Sequence, residues 1–523
     1  MSATIGSVFD LTVRNYPKKE ALYDLRSGKR YTYKEWGEEV NRLSNALKEE
    51  GVKKGDCVST FLFNREELAV AFFACAKLGA VFNPINFRLT PEELAYILGD
   101  AKPKVLLFEQ ELESVVAKIE RRFPEMAFWY TDDAAPGYAV PYQVKMQQAS
   151  DVSVDGDVGE NDVCSIIYTS GTTSRPKGVI HCHRDVVEQS MLAIQFTKLD
   201  FTDRGLIMAP MYHCAELHVA FLPRVHIGAS SVIMHQFNPT LVLETVEKEK
   251  ITKFFAAPTM WNMLLQQSYD KYDLSSLRSG IYGAAPMAPV LVKACQEKLG
   301  VRLIQAYGMT EMGPAITALG EEDQIRKAGS AGKACLNHEI RIVRPNEDGP
   351  SDPEDEMPIG QTGEIIVQGP CVMHGYFQRE EETKKALYKG WYHTGDIGYL
   401  DDEGFLWVKD RVDDMIISGG ENIYPREVED LLYEYPGVLD VAVIGQPDEQ
   451  WGEIVTAVVV ANDASITEQD LETYCKNSDK LANYKRPRKY IFSEAMPRNA
   501  SGKIQKFLLR NKLEDRSQSG TML

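Results

Sequence analysis

The chain has 523 residues, of which 44% are hydrophobic and 26% charged, a globular balance that excludes collagen-like and wholly disordered proteins. Its length corresponds to about three or four structural units. Asp and Glu (76) outnumber Lys and Arg (58), and the net charge of −18 argues against nucleic acid as a partner. A polyanionic substrate must therefore be held by locally concentrated donors or by a metal ion.

Hydropathy and cysteine usage both favour the cytoplasm. The apolar stretches fall short of the roughly 20 residues that a membrane span needs. The first ten residues lack the basic start and apolar core of a signal peptide. The nine cysteines are scattered and show no C-x-x-C spacing, which indicates reduced thiols and does not support a structural zinc site. We expect a cytoplasmic protein without a membrane span.

The first part of the chain alternates helical and strand patterns. Residues 68–78 form an apolar helix candidate, and residues 104–108 and 230–234 are short buried-strand candidates. This alternation predicts mainly parallel sheets with helices packed on their faces. From about residue 334 to residue 410, short β runs are separated by turn-rich segments, which predicts a small antiparallel subdomain.

The last hundred or so residues have a different pattern. Helices are expected to begin at Pro425 and at Thr467, where Asp470 completes a capping box. Strong strand candidates cover residues 441–445 and 454–461. Together these elements predict a small α+β domain that is separate from the preceding sheets.

One segment, from Tyr168 to Gly178, has the composition of a phosphate-binding loop. It follows an apolar strand at residues 163–167 and combines hydroxyl groups with two glycines and two cations, Arg175 and Lys177. It is not a Walker A loop, because the G-K-[ST] ending is absent. A flexible surface loop is the alternative that composition alone leaves open.

This loop resembles the first signature of the adenylate-forming enzymes, the superfamily of acyl- and aryl-CoA synthetases, carrier-protein-loading adenylation domains and luciferases. Ser174 departs from the pattern, which usually has glycine at this position. The resemblance implies that ATP is bound by six residues of the loop, namely Thr169, Ser170, Gly171, Thr172, Thr173 and Lys177.

Further segments resemble the family's nucleotide-binding motifs in the expected order. At Tyr307-Gly308-Met309-Thr310-Glu311 the resemblance implies that the Tyr307 ring stacks on adenine, that Thr310 contacts phosphate and that Glu311 binds Mg²⁺. The positions that hold the ribose hydroxyls correspond to Asp396 and Arg411. The adenine pocket corresponds to the segment Gly283, Ala284, Ala285 and Pro286.

The acyl pocket is the part of the site that the motifs describe least. His213 resembles the family's residue at the mouth of this pocket, and we place Cys214, Ala306 and Met312 in its walls. A lone histidine beside apolar residues is also a common core residue. The mixture of side chains indicates no single class of acid.

The carboxyl-terminal region carries a basic cluster. Residues 484–512 contain nine basic residues and one acid, in a chain of net charge −18. Residues 497–504 resemble the family's terminal motif, which implies that Lys503 catalyses adenylation. Asp413 falls where the family has its interdomain hinge. The surface that contacts CoA corresponds to Gly419, Gly420, Trp451, Tyr484, Arg486 and Arg488.

The residues and the resemblance together imply an α/β protein. We expect a large N-terminal AMP-binding domain of αβ-layered sheets over residues 1–410, with a β-rich subdomain at about 334–410, and a mobile α+β lid over residues 411–523. The implied activity is that of an AMP-forming carboxylic acid:CoA ligase that uses ATP, CoA and Mg²⁺ on a fatty or aryl acid. The alternatives are a free-standing enzyme that loads a carrier-protein thiol and a non-catalytic nucleotide-binding module. A homodimer is left open.

Overall fold

Four β-sheets organise the chain in the computed structural model. It describes residues 3–519 except 155, 170–174, 286, 347–348, 412–413, 419–420, 449–450, 463–464, 479 and 499–503.

The regular elements fall into two groups in chain order, those that precede residue 335 and those that follow it. The first group is α1 (Ile5–Asn15), β1 (Glu20–Asp24), β2 (Arg30–Thr32), α2 (Tyr33–Glu49), β3 (Cys57–Phe61), α3 (Glu66–Leu78), β4 (Val81–Pro84), α4 (Pro91–Ala101), β5 (Val105–Phe108), α5 (Glu113–Val116), β6 (Ala127–Tyr130), β7 (Val140–Pro141), α6 (Tyr142–Gln148), β8 (Val163–Thr169), β9 (Lys177–Cys182), α7 (His183–Phe196), β10 (Arg204–Ile207), α8 (Leu222–His226), β11 (Ser230–Ile233), α9 (Pro239–Glu249), β12 (Lys253–Phe255), α10 (Pro258–Leu265), β13 (Ser279–Tyr282), α11 (Pro289–Leu299), β14 (Arg302–Tyr307), β15 (Thr317–Leu319) and β16 (Lys333–Ala334). The second group is β17 (Glu339–Val343), β18 (Gly363–Gln368), β19 (Gly375–Tyr376), α12 (Glu380–Ala386), β20 (Leu387–Tyr388), β21 (Trp391–Leu400), β22 (Leu406–Arg411), β23 (Ile416–Ser418), β24 (Glu421–Ile423), α13 (Pro425–Tyr433), β25 (Val438–Asp448), β26 (Gly452–Ala461), α14 (Glu468–Lys476), β27 (Lys489–Phe492) and α15 (Lys506–Ser519).

Two large sheets form the body of the N-terminal part. One has nine strands in the order β16-β15-β14-β13-β12-β10-β11-β1-β2, and the other has eight in the order β19-β9-β8-β4-β3-β5-β6-β7. The central strands of both sheets pair in parallel. Antiparallel pairs lie at both edges of the nine-stranded sheet and at the β19 edge of the eight-stranded sheet. This confirms the predicted α/β class with mainly parallel sheets.

The helix predicted at residues 68–78 is α3, and every residue of it is buried. A helix that is apolar on all sides cannot face water, so neighbouring elements cover it completely. Phe73 packs its ring against Phe9, with centroids 4.4 Å apart, and meets the edge of Trp36 at 5.2 Å. These rings join α1, α2 and α3 in one core beside the eight-stranded sheet.

The small subdomain is antiparallel, as its turn-rich sequence predicted. Its strand order is β17-β18-β21-β20, and β22 pairs with the other part of β21. The turn between β21 and β22 is closed by the Gly404 amide, which donates to the Asp401 carbonyl at 2.9 Å. Ala334 itself belongs to β16 of the nine-stranded sheet, so the antiparallel sheet begins slightly later than expected, at Glu339.

The C-terminal sheet has the order β24-β23-β26-β25, with β27 parallel to β26. The capping box of α14 is present, because the Asp470 amide donates to the Thr467 hydroxyl at 3.3 Å and the Thr467 amide donates to the Asp470 carboxylate at 2.9 Å. The chain leaves the antiparallel subdomain after Arg411 and enters the C-terminal sheet at Ile416. The predicted hinge, Asp413, lies outside the described residues.

The described helices include none long and apolar enough to cross a membrane. All nine cysteines are buried and have free thiols.

Candidate functional site

The predicted phosphate loop joins β8 to β9 as a hairpin, with Thr169 and Lys177 opposite each other at its base. The loop follows β8, as predicted, and it is followed by the antiparallel strand β9, with α7 beginning only at His183. The Thr169 hydroxyl is buried without a hydrogen-bond partner among the described residues. The predicted ATP contacts Ser170, Gly171, Thr172 and Thr173 lie outside the described residues.

A tyrosine connects the base of this loop to the predicted magnesium ligand. The Lys177 ammonium lies 4.3 Å from the ring centroid of Tyr376. The Tyr376 hydroxyl donates to Glu311 Oε1 at 3.0 Å, and the Met373 amide donates to the Glu311 carbonyl at 2.8 Å. The arrangement therefore places a cation over the ring of Tyr376 and a carboxylate at its hydroxyl group.

The predicted adenine and ribose contacts also meet. The Tyr307 hydroxyl, at the end of β14, donates to Asp396 Oδ2 at 2.6 Å. Asp396 lies directly opposite Arg411 in the pairing of β21 with β22. The site therefore lies where the nine-stranded sheet meets the antiparallel subdomain.

Close packing explains two of the glycines beside Tyr307. A Cβ on Gly283 would lie 2.6 Å from the Ala306 carbonyl oxygen, and one on Gly308, at φ +156°, would lie 1.8 Å from the Pro314 carbonyl oxygen. The segment 283–285 is thereby held against the carboxyl end of β14, the side of a parallel sheet at which ligands bind. Ala284 adopts a positive φ of 65°. Pro286 lies outside the described residues.

Ala306 is the point at which two apolar clusters meet. One includes Phe255 and Ile281, and the other includes Val219 and Ala315. Ala306 itself is only partly buried, so its small side chain contributes to an open wall. Such a surface suits an uncharged hydrocarbon or aromatic group.

His213 lies two residues before Ala215, and its place at the mouth of the acyl pocket stays a prediction. It shortly precedes a π-helix at Ala215–Phe221, and Ala215 packs in the same cluster as Ala306. The Ala215 amide donates to His213 Nδ1 at 3.2 Å. Burial lowers the pKa of His213 to about 4. The imidazole is therefore neutral near pH 7, with its proton on Nε2.

The structure does not place two of the predicted pocket residues on this wall. Cys214 is fully buried, and its thiol lies 3.3 Å from the Thr310 hydroxyl. Met312 is also fully buried, in a different cluster that includes Val179 and Ile316. Neither side chain packs in the clusters that contain Ala306, because Cys214 packs against Thr310 and Met312 packs with Val179 and Ile316.

A buried polar group behind Thr310 was not predicted from the sequence. His181 Nε2 donates to the Thr310 carbonyl at 2.7 Å, and Asp185 lies 3.7 Å from His181 Nδ1 and 3.1 Å from His374 Nε2. Burial by itself would raise the pKa of Asp185, but the neighbouring His181 imidazole and hydrogen bonds from His374 and the Cys182 amide lower it to about 2. A histidine within a buried strand, four residues before an acid, was the available signal.

This group makes stability depend on pH. Hydrogen bonding to Asp185 raises the pKa of His374 from 6.5 to about 10. A raised folded-state pKa stabilises the protein fully below about pH 6.5, and that contribution disappears as the pH rises through about 10. Because the His374 side chain is 42% exposed, solvent weakens the interaction, and its contribution to the free energy of unfolding is about 1 kcal/mol.

We therefore expect His374→Gln to lower the melting temperature at pH 6 and to have almost no effect at pH 10.5. Thermal unfolding of both proteins across this range measures the difference. A difference that grows with pH would contradict the pairing of His374 with Asp185.

The predicted CoA residues lie on the C-terminal domain. The Arg488 guanidinium lies 4.3 Å from the ring centroid of Trp451, and Arg486 pairs with Glu472. Arg486 and Arg488 border a cavity of about 500 Å³ at the start of α14. Tyr484 is 46% exposed. The other residues predicted for this domain, Gly419, Gly420 and Lys503, lie outside the described residues.

Comparisons with known proteins identify the family of this chain. A family model described as AMP-binding enzyme matches residues 9–377, and one described as AMP-binding enzyme C-terminal domain matches residues 427–503. A feruloyl-CoA synthase of Amycolatopsis sp is 38% identical, covering 93% of this chain and 94% of its own. The long-chain-fatty-acid–CoA ligase FadD13 of Mycobacterium tuberculosis is 36% identical, covering 94% and 95%.

Solved structures extend the likeness to the whole fold. The ATP-bound structure of MatB from Rhodopseudomonas palustris is 29% identical, covers 98% of this chain and 99% of its own, and has a TM-score of 0.89. The apo structure of the same protein covers the same shares with a TM-score of 0.78. The chain therefore belongs to the AMP-binding enzyme family, and the prediction of an AMP-forming acid–thiol ligase is confirmed.

Proposed function

We propose that this enzyme joins a fatty or aryl carboxylic acid to CoA in two steps. The acid first attacks the α-phosphate of ATP, which releases pyrophosphate and forms an acyl-adenylate. The CoA thiol then displaces AMP and forms the acyl-CoA. The observation that carries the proposal is that Tyr307 contacts Asp396 while Glu311, four residues further on, accepts from Tyr376, whose ring lies beside Lys177. Tyr307 directly follows Ala306, which contributes to the apolar wall.

Adenylation is needed because a carboxylate is a poor electrophile, whose own charge repels nucleophiles. We assign the adenine to Tyr307 and the segment 283–285, and the ribose to Asp396 and Arg411. The hairpin loop and Thr310 are assigned to the phosphates. These residues would bind and orient ATP. Positioning and charge stabilisation account for most of the catalysis of phosphoryl-group reactions.

The residues around Glu311 fit a magnesium ion. Among the described residues only Tyr376 donates to this carboxylate, at Oε1, so Oε2 is left for a ligand. Magnesium is commonly bound by one or two carboxylates together with phosphate oxygens. When bound, the ion would offset the charge of the phosphates. Glu311 would hold it, and Tyr376 would orient the carboxylate.

We propose Lys503 as the cation that offsets the negative charges of the substrate carboxylate and the α-phosphate as they approach each other. The CoA surface is proposed at Gly419, Gly420, Trp451, Tyr484, Arg486 and Arg488. We further propose that the domains divide at residues 410 and 411, and that the C-terminal domain turns about Asp413 between the two steps. A cytoplasmic location and a homodimer stay predictions.

The hinge can be tested by fixing its backbone. Asp413→Pro restricts φ to about −65°, so we expect thioester formation to fall at least about 10-fold more than adenylation. Single-turnover kinetics of each step measure this. Asp402→Pro is the control, since it places proline in the exposed turn after β21, where proline is well tolerated. Equal rates in Asp413→Pro and wild type would move the hinge elsewhere.

The function itself is tested by pyrophosphate release from ATP over short, medium and long fatty acids and aryl acids, with and without CoA. We expect at least one acid to release pyrophosphate and to yield AMP and an acyl-CoA. Transfer to a phosphopantetheinylated carrier protein but not to free CoA would support the loading enzyme instead. No AMP with any acid would overturn the proposed ligase.

A further inference from the structure

An arginine at the start of α13 joins the two domains. Arg426 Nη1 donates to the Val408 carbonyl at 3.0 Å, and its Nη2 donates to the Gly329 carbonyl at 3.3 Å. Val408 lies in the antiparallel subdomain, and Gly329 lies in the segment that precedes β16. The Arg426 side chain is only 16% exposed, so these hydrogen bonds are well shielded from water.

The next residue adds a second connection. Glu427 accepts from the Lys409 ammonium at 3.1 Å and also pairs with Lys485. Lys409 belongs to β22, whereas Lys485 lies beside Tyr484 in the predicted CoA surface. Glu427 therefore holds part of that surface close to the antiparallel subdomain.

The segment that Arg426 contacts also packs against the strands that lead to the predicted adenine pocket. The Tyr282 hydroxyl lies 3.0 Å from the side-chain oxygen of Gln324 and 3.0 Å from that of Gln305. Tyr282 immediately precedes Gly283, and Gln305 immediately precedes Ala306. Residues 324–329 therefore connect β13 and β14, which lead into the predicted adenine pocket, to the guanidinium of Arg426.

The contacts of Arg426 occur in one particular arrangement of the domains. The chain as a whole is more similar to the ATP-bound structure of MatB than to the apo structure of that protein. A rotation of α13 away from Val408 and Gly329 would break both hydrogen bonds at once.

We propose that Arg426 is a positioning residue for adenylation, a role that rests on the proposed two-step function. Its guanidinium holds the C-terminal domain against the segment 324–329 while the acyl-adenylate forms, and it must release both carbonyls before the domain turns for the attack of CoA. Glu427 supports the same arrangement through Lys409. Arg426 touches no reacting atom.

The test compares Arg426→Ala, Arg426→Lys and wild type in the two half-reactions. We expect Arg426→Ala to slow single-turnover pyrophosphate release about 10-fold, and to leave the reaction of CoA with supplied acyl-adenylate unchanged or faster. Arg426→Lys should recover part of the first rate, because an ammonium can still donate to a carbonyl. A purely structural role would slow both half-reactions equally, and that result would overturn the proposal.

Arg326→Ala is the matched control. Arg326 lies in the same segment, but its ion pairs are with Asp323 and Glu403, both in the N-terminal part of the chain. We expect both of its half-reactions to match wild type. Equal slowing of pyrophosphate release by Arg326→Ala and Arg426→Ala would contradict a specific role for Arg426.

A readout without catalysis separates this proposal from the proposed function. Small-angle X-ray scattering with ATP should show a change in domain arrangement for Arg426→Ala and none for Arg326→Ala. If wild type releases no pyrophosphate with any acid, the two-step function fails, yet the scattering still reports on the contact. Identical scattering of wild type and Arg426→Ala would overturn the role of Arg426.

Discussion

Replacing Lys503 with alanine should lower the rate of acyl-adenylate formation at least about 100-fold. The acid and the α-phosphate of ATP are both anions, and they must approach to bonding distance in a chain of net charge −18. A single ammonium placed between them offsets that repulsion without moving during the reaction. The attack of CoA on a finished acyl-adenylate brings no second carboxylate, so it does not need this cation.

The measurement therefore separates the two half-reactions. The rate of single-turnover pyrophosphate release should fall at least about 100-fold in Lys503→Ala. The rate of acyl-CoA formation from supplied acyl-adenylate should stay near that of wild type. Lys512→Ala is the control, since it removes the same charge from an exposed position on the following helix, α15. Equal losses in both half-reactions of Lys503→Ala, or equal losses in the two variants, would contradict the assignment.

The parts of the molecule that the sequence predicts well are those determined by short runs of residues. An uninterrupted apolar run specifies α3, and a threonine followed three residues later by aspartate specifies the start of α14. The motif at Tyr307 was recognised in the same way. Each is a local pattern whose physical cause lies within about one or two turns of helix or one strand.

Contacts between distant residues could not be predicted in this way. Tyr376 meets Glu311 across 65 residues, His374 meets Asp185 across 189, and Arg426 meets Gly329 across 97. No periodicity or composition encodes such pairs, because they depend on how sheets pack after they have formed. The same holds for Cys214 and Met312. Both are close in sequence to a predicted site residue, but both side chains are fully buried away from the pocket wall.

The supporting residues share one physical role. Tyr376 orients the side chain of Glu311, His181 holds the carbonyl of Thr310, and the thiol of Cys214 meets the hydroxyl of Thr310. A short 3₁₀-helix has few internal hydrogen bonds, so its position is determined mainly by its neighbours. The position of this short helix therefore depends on the eight-stranded and the nine-stranded sheet together.

Glu311→Gln tests that geometry with the second-largest effect that we expect. Glutamine has nearly the same shape and can still accept the Tyr376 hydrogen bond through its amide oxygen, but it removes the negative charge that would hold Mg²⁺. Pyrophosphate release should fall about 100-fold, and its dependence on Mg²⁺ should shift to higher concentration. The reaction of CoA with supplied acyl-adenylate should change little, because no pyrophosphate leaves in that step.

Tyr376→Phe provides the matched variant for this experiment. Phenylalanine keeps the ring that lies against Lys177 and leaves the charge of Glu311 intact, but it removes the hydrogen bond that orients the carboxylate. We expect a smaller loss in pyrophosphate release, about 10-fold, with a modest change in Mg²⁺ dependence. If Glu311→Gln kept the wild-type Mg²⁺ dependence while its melting temperature was unchanged, the ion would have to be held by other groups, and Glu311 would be a packing residue of the cleft.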